Sequence, residues 1–219
     1  MIHDPISFGM TDHQRAILGA VLAQPHIRRA EVSDRLGISV QTTMRAVLPL
    51  IDSGVLTEIH AASGNRGKPA RELGFVSASL ATIGISLAVD RVRVEVCDLA
   101  GQVLSSSNQA TNYDCATVQL SDLDRLLDTA LAELPAKTKI IGAGVSVQGY
   151  LMSGSTRFAA KADPAGWAQI DLMTHLRQRL GVLVQLMNDG RTLASSLIRC
   201  SPHQDFICLH FGSGIGGGV

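Results

Sequence analysis

The chain has 219 residues, of which 46% are hydrophobic, and this length allows a small domain and a larger one with cores of their own. Its 19 Lys and Arg residues balance its 19 Asp and Glu residues, so the net charge is zero and any binding to nucleic acid must come from a local basic patch. The four cysteines lack CxxC spacing and no apolar run approaches about 18 residues, so we expect a cytoplasmic chain without a disulfide framework, a membrane span or a signal peptide.

Apolar residues in the first quarter of the chain recur at helical spacing. The predicted helices span residues 11–24, 29–36 and 40–53. Thr11 and Ser39 are expected to cap the first and third helices, and Gly37 is expected to end the second in the left-handed conformation. Two helices joined by a short turn with glycine are typical of a helix-turn-helix.

The third helix is the candidate recognition helix. Its apolar face is predicted to comprise Met44, Val47, Leu48 and Ile51, and Pro49 is expected to kink the helix or to end it early. Polar side chains near its start are of types that reach base edges or phosphates from the major groove. These candidate DNA contacts are Gln41, Thr42, Thr43 and Arg45.

Two short strands, at 54–59 and 72–75, flank a loop at 63–71 that is rich in glycine and basic residues. This arrangement predicts a wing whose cations contact the DNA backbone or the minor groove. The cations are Arg66, Lys68 and Arg71. We therefore expect residues 1–78 to form a winged helix-turn-helix domain. The alternative is a small helical interaction module whose basic loop is only solvated.

Strands and helices alternate over residues 79–219, which predicts an α/β domain with a mixed sheet. Three strands are predicted within 81–108, followed by an amphipathic helix at 121–134 that Ser121 caps. The remaining elements are strands at 139–147, 182–186 and 206–211 and helices at 171–180 and 188–199.

Six segments of this second domain occur in a characteristic order and spacing. They lie at 84–89, 98–104, 142–149, 166–167, 187–189 and 212–218. In this order they resemble the ROK family, which contains sugar-responsive repressors and sugar kinases on the actin-like ATPase fold, and the winged helix in front matches the repressor branch. The resemblance implies a DNA-binding transcriptional regulator that senses a sugar or a sugar derivative and needs no cofactor. Its fold would be an N-terminal winged helix-turn-helix followed by an incomplete actin-like domain.

The resemblance also raises an enzymatic alternative, a sugar kinase. Kinases of the family carry an Asp-x-Gly-Gly-Thr turn after the first strand, and its glycines let backbone N–H groups meet phosphate while its acid helps to hold the metal. Residues 86–90 of this chain read Ser-Leu-Ala-Val-Asp, so that acid, both glycines and the threonine are missing. We therefore expect no kinase activity and no bound metal.

The resemblance assigns a sugar site to Asn188 and Asp189, with Gly149 beside them. An amide and a carboxylate can jointly bind sugar hydroxyls, and in family kinases the aspartate also serves as general base. The sequence departs from the family pattern at Met187, where glutamate is usual, and at Gln148, where proline is usual. The alternative for Asn188 and Asp189 is an N-cap on the helix that follows the strand, and one pair can do both.

The chain ends on a segment with glycine at five of the seven positions 212–218. The resemblance makes this glycine turn a remnant of the family's second phosphate loop, which backbone N–H groups line. The residues concerned are Gly212, Ser213, Gly214, Gly216 and Gly217.

A glycine turn of this kind normally opens a new α/β unit, and none follows it here. We therefore expect the chain to be the front part of a longer design. A full-length product is expected to bind paired half-sites of double-stranded operator DNA as a homodimer. A partial, non-functional gene product is a third interpretation, beside the regulator and the kinase.

Overall fold

The structure is a computed structural model, and it describes residues 10–60, 71–111, 115–152, 157–159, 166–200, 205–211 and 215–218. The helices are α1 (Asp12–Ala23), α2 (Arg29–Leu36), α3 (Val40–Asp52), α4 (Ala116–Ala132), α5 (Leu172–Leu180) and α6 (Asp189–Cys200). The strands are β1 (Ile27–Arg28), β2 (Leu56–His60), β3 (Arg71–Phe75), β4 (Leu80–Leu87), β5 (Arg91–Asp98), β6 (Val103–Ala110), β7 (Lys139–Val147), β8 (Tyr150–Leu151), β9 (Phe158–Ala159), β10 (Val184–Asn188), β11 (Cys208–Phe211) and β12 (Ile215–Gly218).

Contacts divide the chain into two compact units that interleave along the sequence. The first unit comprises Met1–Ala81, Cys97–Leu104 and Pro135–Ile141. The second unit comprises Thr82–Val96, Ser105–Leu134 and Gly142–Val219. The first unit thus includes the turn between β5 and β6 and the start of β7. The division into domains at residue 78 stays a prediction.

The first unit is built on α1, α2 and α3 and on a small antiparallel sheet. In this sheet β3 lies in the middle and pairs with β1 on one side and with β2 on the other. The core draws buried aliphatic side chains from all three helices and from the sheet, among them Ile17, Val21, Val32, Val47 and Leu73. Three helices followed by this hairpin form a winged helix-turn-helix.

Local sequence signals set the ends of these helices as expected. The side chain of Thr11 accepts a hydrogen bond from the backbone N–H of Gln14 at 3.3 Å, and the Gln14 side chain accepts one from the Thr11 N–H at 2.8 Å. Ser39 caps α3 by accepting from the Thr42 N–H at 3.1 Å. Gly37 ends α2 with a φ of 63°, a conformation that glycine adopts without strain. The three predicted caps are confirmed.

The buried face of α3 differs from the predicted one. Val47 is buried as expected and Ile51 partly so, but Met44 and Leu48 are exposed. The helix has two stripes that could pack against a core, and the stripe that is buried runs through residues 43, 46, 47 and 50. Nor does α3 end early at Pro49, because the Ser53 N–H donates to the Pro49 carbonyl oxygen at 3.0 Å and so continues the last turn.

Asp98 fixes the connection between β3 and β4 inside the first unit. Its carboxylate is 5% exposed and accepts hydrogen bonds from the Ser77 hydroxyl at 3.0 Å and from the backbone N–H groups of Ala78 at 2.9 Å and Gln102 at 2.8 Å. Burial by itself raises the pKa of this carboxyl, but the hydrogen bonds outweigh burial and lower its pKa below the ordinary value. The bonded, ionised carboxylate stabilises Ala78 in its unusual conformation, with a φ of 57°.

The main sheet has the strand order β10-β7-β4-β5-β6, and β10 runs parallel to β7. Alternate residues of β5 are buried, as the period-two pattern predicts.

Helix α4 buries Leu123, Leu126 and Leu127 in the second unit. It begins at Ala116 rather than at the predicted Ser121, because an additional turn buries Ala116 and Gln119. Trp167 is fully buried, and its ring nitrogen donates to the Gln119 side chain at 2.9 Å.

The last described elements, β11 and β12, form an antiparallel hairpin against α6. Glycine is required where this hairpin and the helix meet. A Cβ on Gly190 would lie 2.6 Å from the carbonyl oxygen of Gly217, and one on Gly218 would lie 2.6 Å from the Cβ of Ala194. These distances are shorter than any ordinary contact between heavy atoms, so the glycines at 190 and 218 allow the helix and the hairpin to approach closely.

Candidate nucleic-acid interface and ligand cleft

The start of α3 presents polar side chains outwards. Gln41 and Arg45 lie four residues apart on the exposed side of the helix. Thr42 is half-buried, and its hydroxyl bonds to the Ser39 hydroxyl at 2.8 Å, so it belongs to the helix cap. Among the predicted contacts, Gln41 and Arg45 are therefore the two whose side chains project freely from the first turns of the helix.

Thr43 was expected to contact DNA, and this expectation is wrong. Its side chain is 0% exposed, and its hydroxyl bonds to the Ser33 hydroxyl at 2.8 Å and to the Ser39 carbonyl oxygen at 3.2 Å. The Ser33 hydroxyl in turn donates to the Arg29 carbonyl oxygen at 3.0 Å. Thr43 thus joins α2 to α3 in the core of the helix-turn-helix, where a polar group must find hydrogen-bond partners.

The cations of the first unit differ in how they are paired. Arg71, at the start of β3, forms a salt bridge to Glu58 with an N–O distance of 2.7 Å, and Arg29 contacts the other oxygen of the same carboxylate. Within residues 10–60 and 71–111, Arg45 has no such acidic partner. Arg66 and Lys68 of the predicted wing lie outside the described residues. Arg45 is thus the α3 cation available to an anionic partner.

The second unit contains a cleft of about 410 Å³, which is in the range of small-molecule sites. Polar side chains from β4, β7, α6 and β11, together with the turn after β7, supply most of its hydrogen-bonding groups. They include Ser86, Ser146, Gln148, Asp189, Thr192 and His210. Hydroxyls, an amide, a carboxylate and an imidazole together suit a ligand with several hydroxyl groups.

Asn188 uses both ends of its amide within the fold. Its Nδ2 donates to the carbonyl oxygen of Gly149 at 2.7 Å, and its Oδ1 accepts from the N–H groups of Gly190 at 2.9 Å and Arg191 at 3.4 Å. Asn188 therefore caps α6 and joins it to the turn after β7, where Gly149 has a φ of 145°. This geometry supports the N-cap alternative for Asn188 and gives Gly149 a backbone role.

Asp189 is the member of the predicted pair that lines the cleft. One carboxylate oxygen accepts from the Gly190 N–H at 2.7 Å, while the other lies 4.0 Å from Nδ1 of His210 on β11. His210 did not emerge as a site residue from the sequence, because it has no metal-ligand spacing and its neighbour across the cleft is 21 residues away in the sequence. Only the pairing of the hairpin against α6 brings the two groups together.

The segment at 86–90 lies beside Asp189, where the resemblance places a kinase phosphate turn. Leu87 is buried, Ser86 and Ala88 line the cleft, and the Ala88 N–H donates to the Arg91 carbonyl oxygen at 2.9 Å to close a tight hairpin. None of residues 86–90 has a positive φ. Side chains thus occupy positions where glycine would let backbone N–H groups approach a phosphate.

The predicted phosphate-loop remnant divides into two parts. Gly212, Ser213 and Gly214 lie outside the described residues. Gly216 and Gly217 lie in strand β12 rather than in the expected turn, paired with His210 and Leu209. A Cβ on Gly217 would lie 3.1 Å from the carbonyl oxygen of Cys208 on the paired strand β11, so close packing gives a physical reason for glycine at 217. Its presence does not by itself require a phosphate.

Among the residues that the structure describes, no group of three or more His, Cys, Asp or Glu side chains is arranged to hold a metal ion. In the same part of the chain, no helix has the length and apolar character needed to cross a bilayer.

Two family models match the sequence. The model described as the ROK family matches residues 82–219, and the model described as winged helix-turn-helix DNA-binding matches residues 10–57. The first model covers more than half of the chain. The second ends within β2, so it includes all three helices of the first unit.

Curated relatives include regulators and enzymes. The xylose repressor of Bacillus subtilis is 22% identical over 211 residues, which cover 94% of this chain and 54% of the repressor. The glucokinase of Streptomyces coelicolor is 25% identical over 143 residues, which cover 63% of this chain and 43% of the kinase. The chain spans about half the length of the first curated relatives that it matches.

A solved structure resembles both units of the chain. It is described as a ROK family transcriptional regulator, a homologue of the Escherichia coli Mlc protein, and it matches with a TM-score of 0.67 at 16% identity. The match covers 94% of this chain and 54% of that one. At this identity the likeness establishes the fold alone: a winged helix-turn-helix followed by part of an actin-like ATPase-type domain, as the sequence predicted.

Proposed function

Because the chain belongs to the ROK family, we propose that it is a transcriptional regulator, specifically a repressor, that binds operator DNA and responds to a sugar or a sugar derivative. The outward face of α3 carries this proposal. Gln41 and Arg45 project there from a helix that the Ser39 cap and the buried Thr43 hold firmly against α2. An amide and a guanidinium four residues apart are suited to base edges and phosphates in the major groove.

The effector site that we propose is the 410 Å³ cleft in the second unit. Asp189 and His210 would bind ligand hydroxyls from one side, and Ser86, Ser146 and Gln148 would do so from the other. Asn188 would act indirectly by holding the first turn of α6 in place. The hydroxyl-rich lining supports a sugar over an apolar effector, since an apolar ligand would leave these groups without hydrogen bonds.

We propose that this chain performs no phosphoryl transfer. The side chains of Ala88 and Val89 replace the two glycines of the kinase turn, and the serine at 86 replaces its acid. A kinase without this turn lacks both a cradle for the phosphates and a ligand for Mg²⁺. Because a glucokinase is among the relatives of this chain, kinase activity is the alternative that an ATP-turnover assay tests.

As a regulator of this kind, the protein would act in the cytoplasm, where bacterial DNA is. A homodimer would place two winged helices on paired half-sites, and ligand binding in the cleft would change their spacing by shifting a conformational equilibrium. If the chain instead is a partial, non-functional product, it will enrich no DNA sequence from a random pool.

The test is a selection of duplexes from a random library with the full chain, followed by fluorescence anisotropy on the enriched duplex. We expect an enriched sequence, and an affinity that changes when one member of a panel of hexoses, pentoses and amino sugars is added. Asp189→Asn should abolish the response to the sugar and retain DNA binding. Asp205→Asn, which makes the same chemical change at an exposed position, is the matched control.

Two outcomes would overturn the proposal. Failure to enrich any duplex over random sequence would exclude a sequence-specific regulator. Sugar-dependent ATP turnover that Asp189→Asn abolishes and Asp205→Asn retains would establish a kinase instead.

A further inference from the structure

Three aliphatic side chains form a stripe on the outer side of α3. Val40 is 61% exposed, Met44 48% and Leu48 44%. They recur every four residues, so they follow one another along the same side of the helix. The residues that pack into the core of the first unit, Thr43, Ala46, Val47 and Leu50, are centred about 110° away around the helix. The stripe therefore has no function in the packing of α3 onto the rest of its unit.

This stripe is part of the same surface as the polar candidates. Residues 41, 44, 45 and 48 have the spacing i, i+3, i+4 and i+7, which places them together on one face of a helix. Met44 lies between Gln41 and Arg45 along the axis and about 60° from Gln41 around the helix. A partner that covers this face therefore contacts Met44 together with Gln41 and Arg45.

The charge of this face selects the kind of partner. Arg45 has no acidic partner among the described residues, and the acid of α3, Asp52, lies about 12 Å further along the axis from Met44. An apolar protein surface would bury the Arg45 guanidinium and the Gln41 amide without partners, at a cost of several kcal/mol or more for a charge. A DNA major groove offers both groups acceptors, and it offers an aliphatic side chain one apolar partner, the C5-methyl group of thymine.

Building on the proposed function, we infer that Met44, with Val40 beside it, reads thymine methyl groups in the operator and so determines sequence specificity. Gln41 and Arg45 supply polar contacts from the same face of the helix. The operator is therefore expected to contain thymine at the one or two positions that α3 covers. The stripe thus contacts the thymine of an A·T base pair in the major groove.

The experiment uses the full chain and the duplex enriched from the random library. Each thymine in turn is replaced by deoxyuracil, which keeps base pairing and backbone but lacks the C5-methyl group. Wild-type affinity should fall about fourfold for each methyl group that Met44 or Val40 covers, the equivalent of about 0.8 kcal/mol for a buried methylene-sized group. At the position under Met44, Met44→Ala should bind the thymine and the deoxyuracil duplex equally.

Met152→Ala is the matched control, because it makes the same substitution at an exposed methionine of the second unit. It should keep the wild-type discrimination between thymine and deoxyuracil. Met44→Gln, a polar side chain of similar length, should lose it as Met44→Ala does. Thermal unfolding of each variant checks that the fold is retained.

The inference is overturned if no deoxyuracil substitution weakens wild-type binding, or if Met44→Ala retains the discrimination. It is also overturned if Met44→Ala reduces self-association in sedimentation velocity while the discrimination is absent, because the stripe then binds a second copy of the chain. Failure to enrich any duplex is a different result, which overturns the proposed function itself.

Discussion

The outward face of α3 and the cleft of the second unit differ in what their polar side chains already do. On α3, Gln41 and Arg45 are exposed, and Arg45 has no salt bridge within the described part of the first unit. In the cleft, Asn188 uses its whole amide to cap α6 and bond Gly149, and Asp189 accepts from the Gly190 N–H. A polar residue within a recognised motif can therefore either be free to bind a partner or already be hydrogen-bonded to other groups of the fold.

This difference predicts two kinds of mutational effect. Substituting an engaged residue should lower the free energy of unfolding, with binding affected only as a consequence. Substituting a free residue should lower affinity and leave the free energy of unfolding unchanged.

The largest effect is expected for Gly190→Ala at the contact between α6 and β12. The new Cβ would lie 2.6 Å from the carbonyl oxygen and 2.8 Å from the nitrogen of Gly217, and backbone atoms cannot move aside easily. We expect a loss of about 3 kcal/mol in the free energy of unfolding, measured by urea denaturation. Gly144→Ala is the control, since a Cβ there meets no atom within 4 Å. Equal stability of the two variants would show that the hairpin does not lie against α6 as described.

Asp98→Asn comes next. The amide would place an NH2 group either against the Gln102 N–H or against the Ser77 hydroxyl and the Ala78 N–H, so we expect a loss of about 2 kcal/mol at neutral pH. Because the folded-state pKa of Asp98 is lowered, its contribution is complete above the unfolded pKa of about 3.9 and is lost as the pH falls through the folded value. The stability difference between wild type and variant should therefore shrink below about pH 4. A difference that is constant with pH would contradict an ionised Asp98.

Asn188→Ala should cost about 1 kcal/mol, the usual effect of removing a helix N-cap. It leaves the N–H groups of Gly190 and Arg191 and the Gly149 carbonyl without their present partner. Asn188→Asp, which keeps the acceptor oxygen for the two N–H groups, should recover part of this loss. If Asn188→Ala is as stable as wild type and only binding in the cleft changes, Asn188 belongs to the ligand site and not to the fold.

Thr43→Val is expected to have an effect on stability as small as that of Asn188→Ala. The variant removes a buried hydroxyl, but the Ser33 hydroxyl keeps its bond to the Arg29 carbonyl oxygen, so a loss of about 1 kcal/mol is expected. DNA affinity should not change. A tenfold loss of DNA affinity without a change in the free energy of unfolding would show instead that Thr43 contacts DNA.

Much of the first unit could be predicted from short stretches of sequence. Thr11, Gly37 and Ser39 form the expected caps because these signals act on residues three or four positions away. The orientation of α3 could not be predicted in the same way. Both the stripe through Met44 and the stripe through Val47 have helical spacing, and only packing against α1 and α2 decides which is buried.

The cleft shows the same limit more strongly. The order of motifs identified the family and the pair at 188 and 189, but the meeting of Asp189 with His210 depends on the hairpin of β11 and β12 lying against α6. The glycines at 190 and 218 owe their role to this same contact between distant segments. The motif predicted a phosphate turn at Gly217, because a sequence shows which residues are neighbours along the chain but not which segments pack together in space.

The central claim is that the outward face of α3 binds DNA. Its most direct test is the affinity of Arg45→Ala for the enriched duplex, measured by anisotropy beside Arg91→Ala, which removes the same charge at an exposed position of the second unit. We predict that Arg45→Ala weakens binding about fivefold or more, as expected for a contact worth about 1–3 kcal/mol, and that Arg91→Ala binds like wild type. Equal affinities of the two variants would contradict the account.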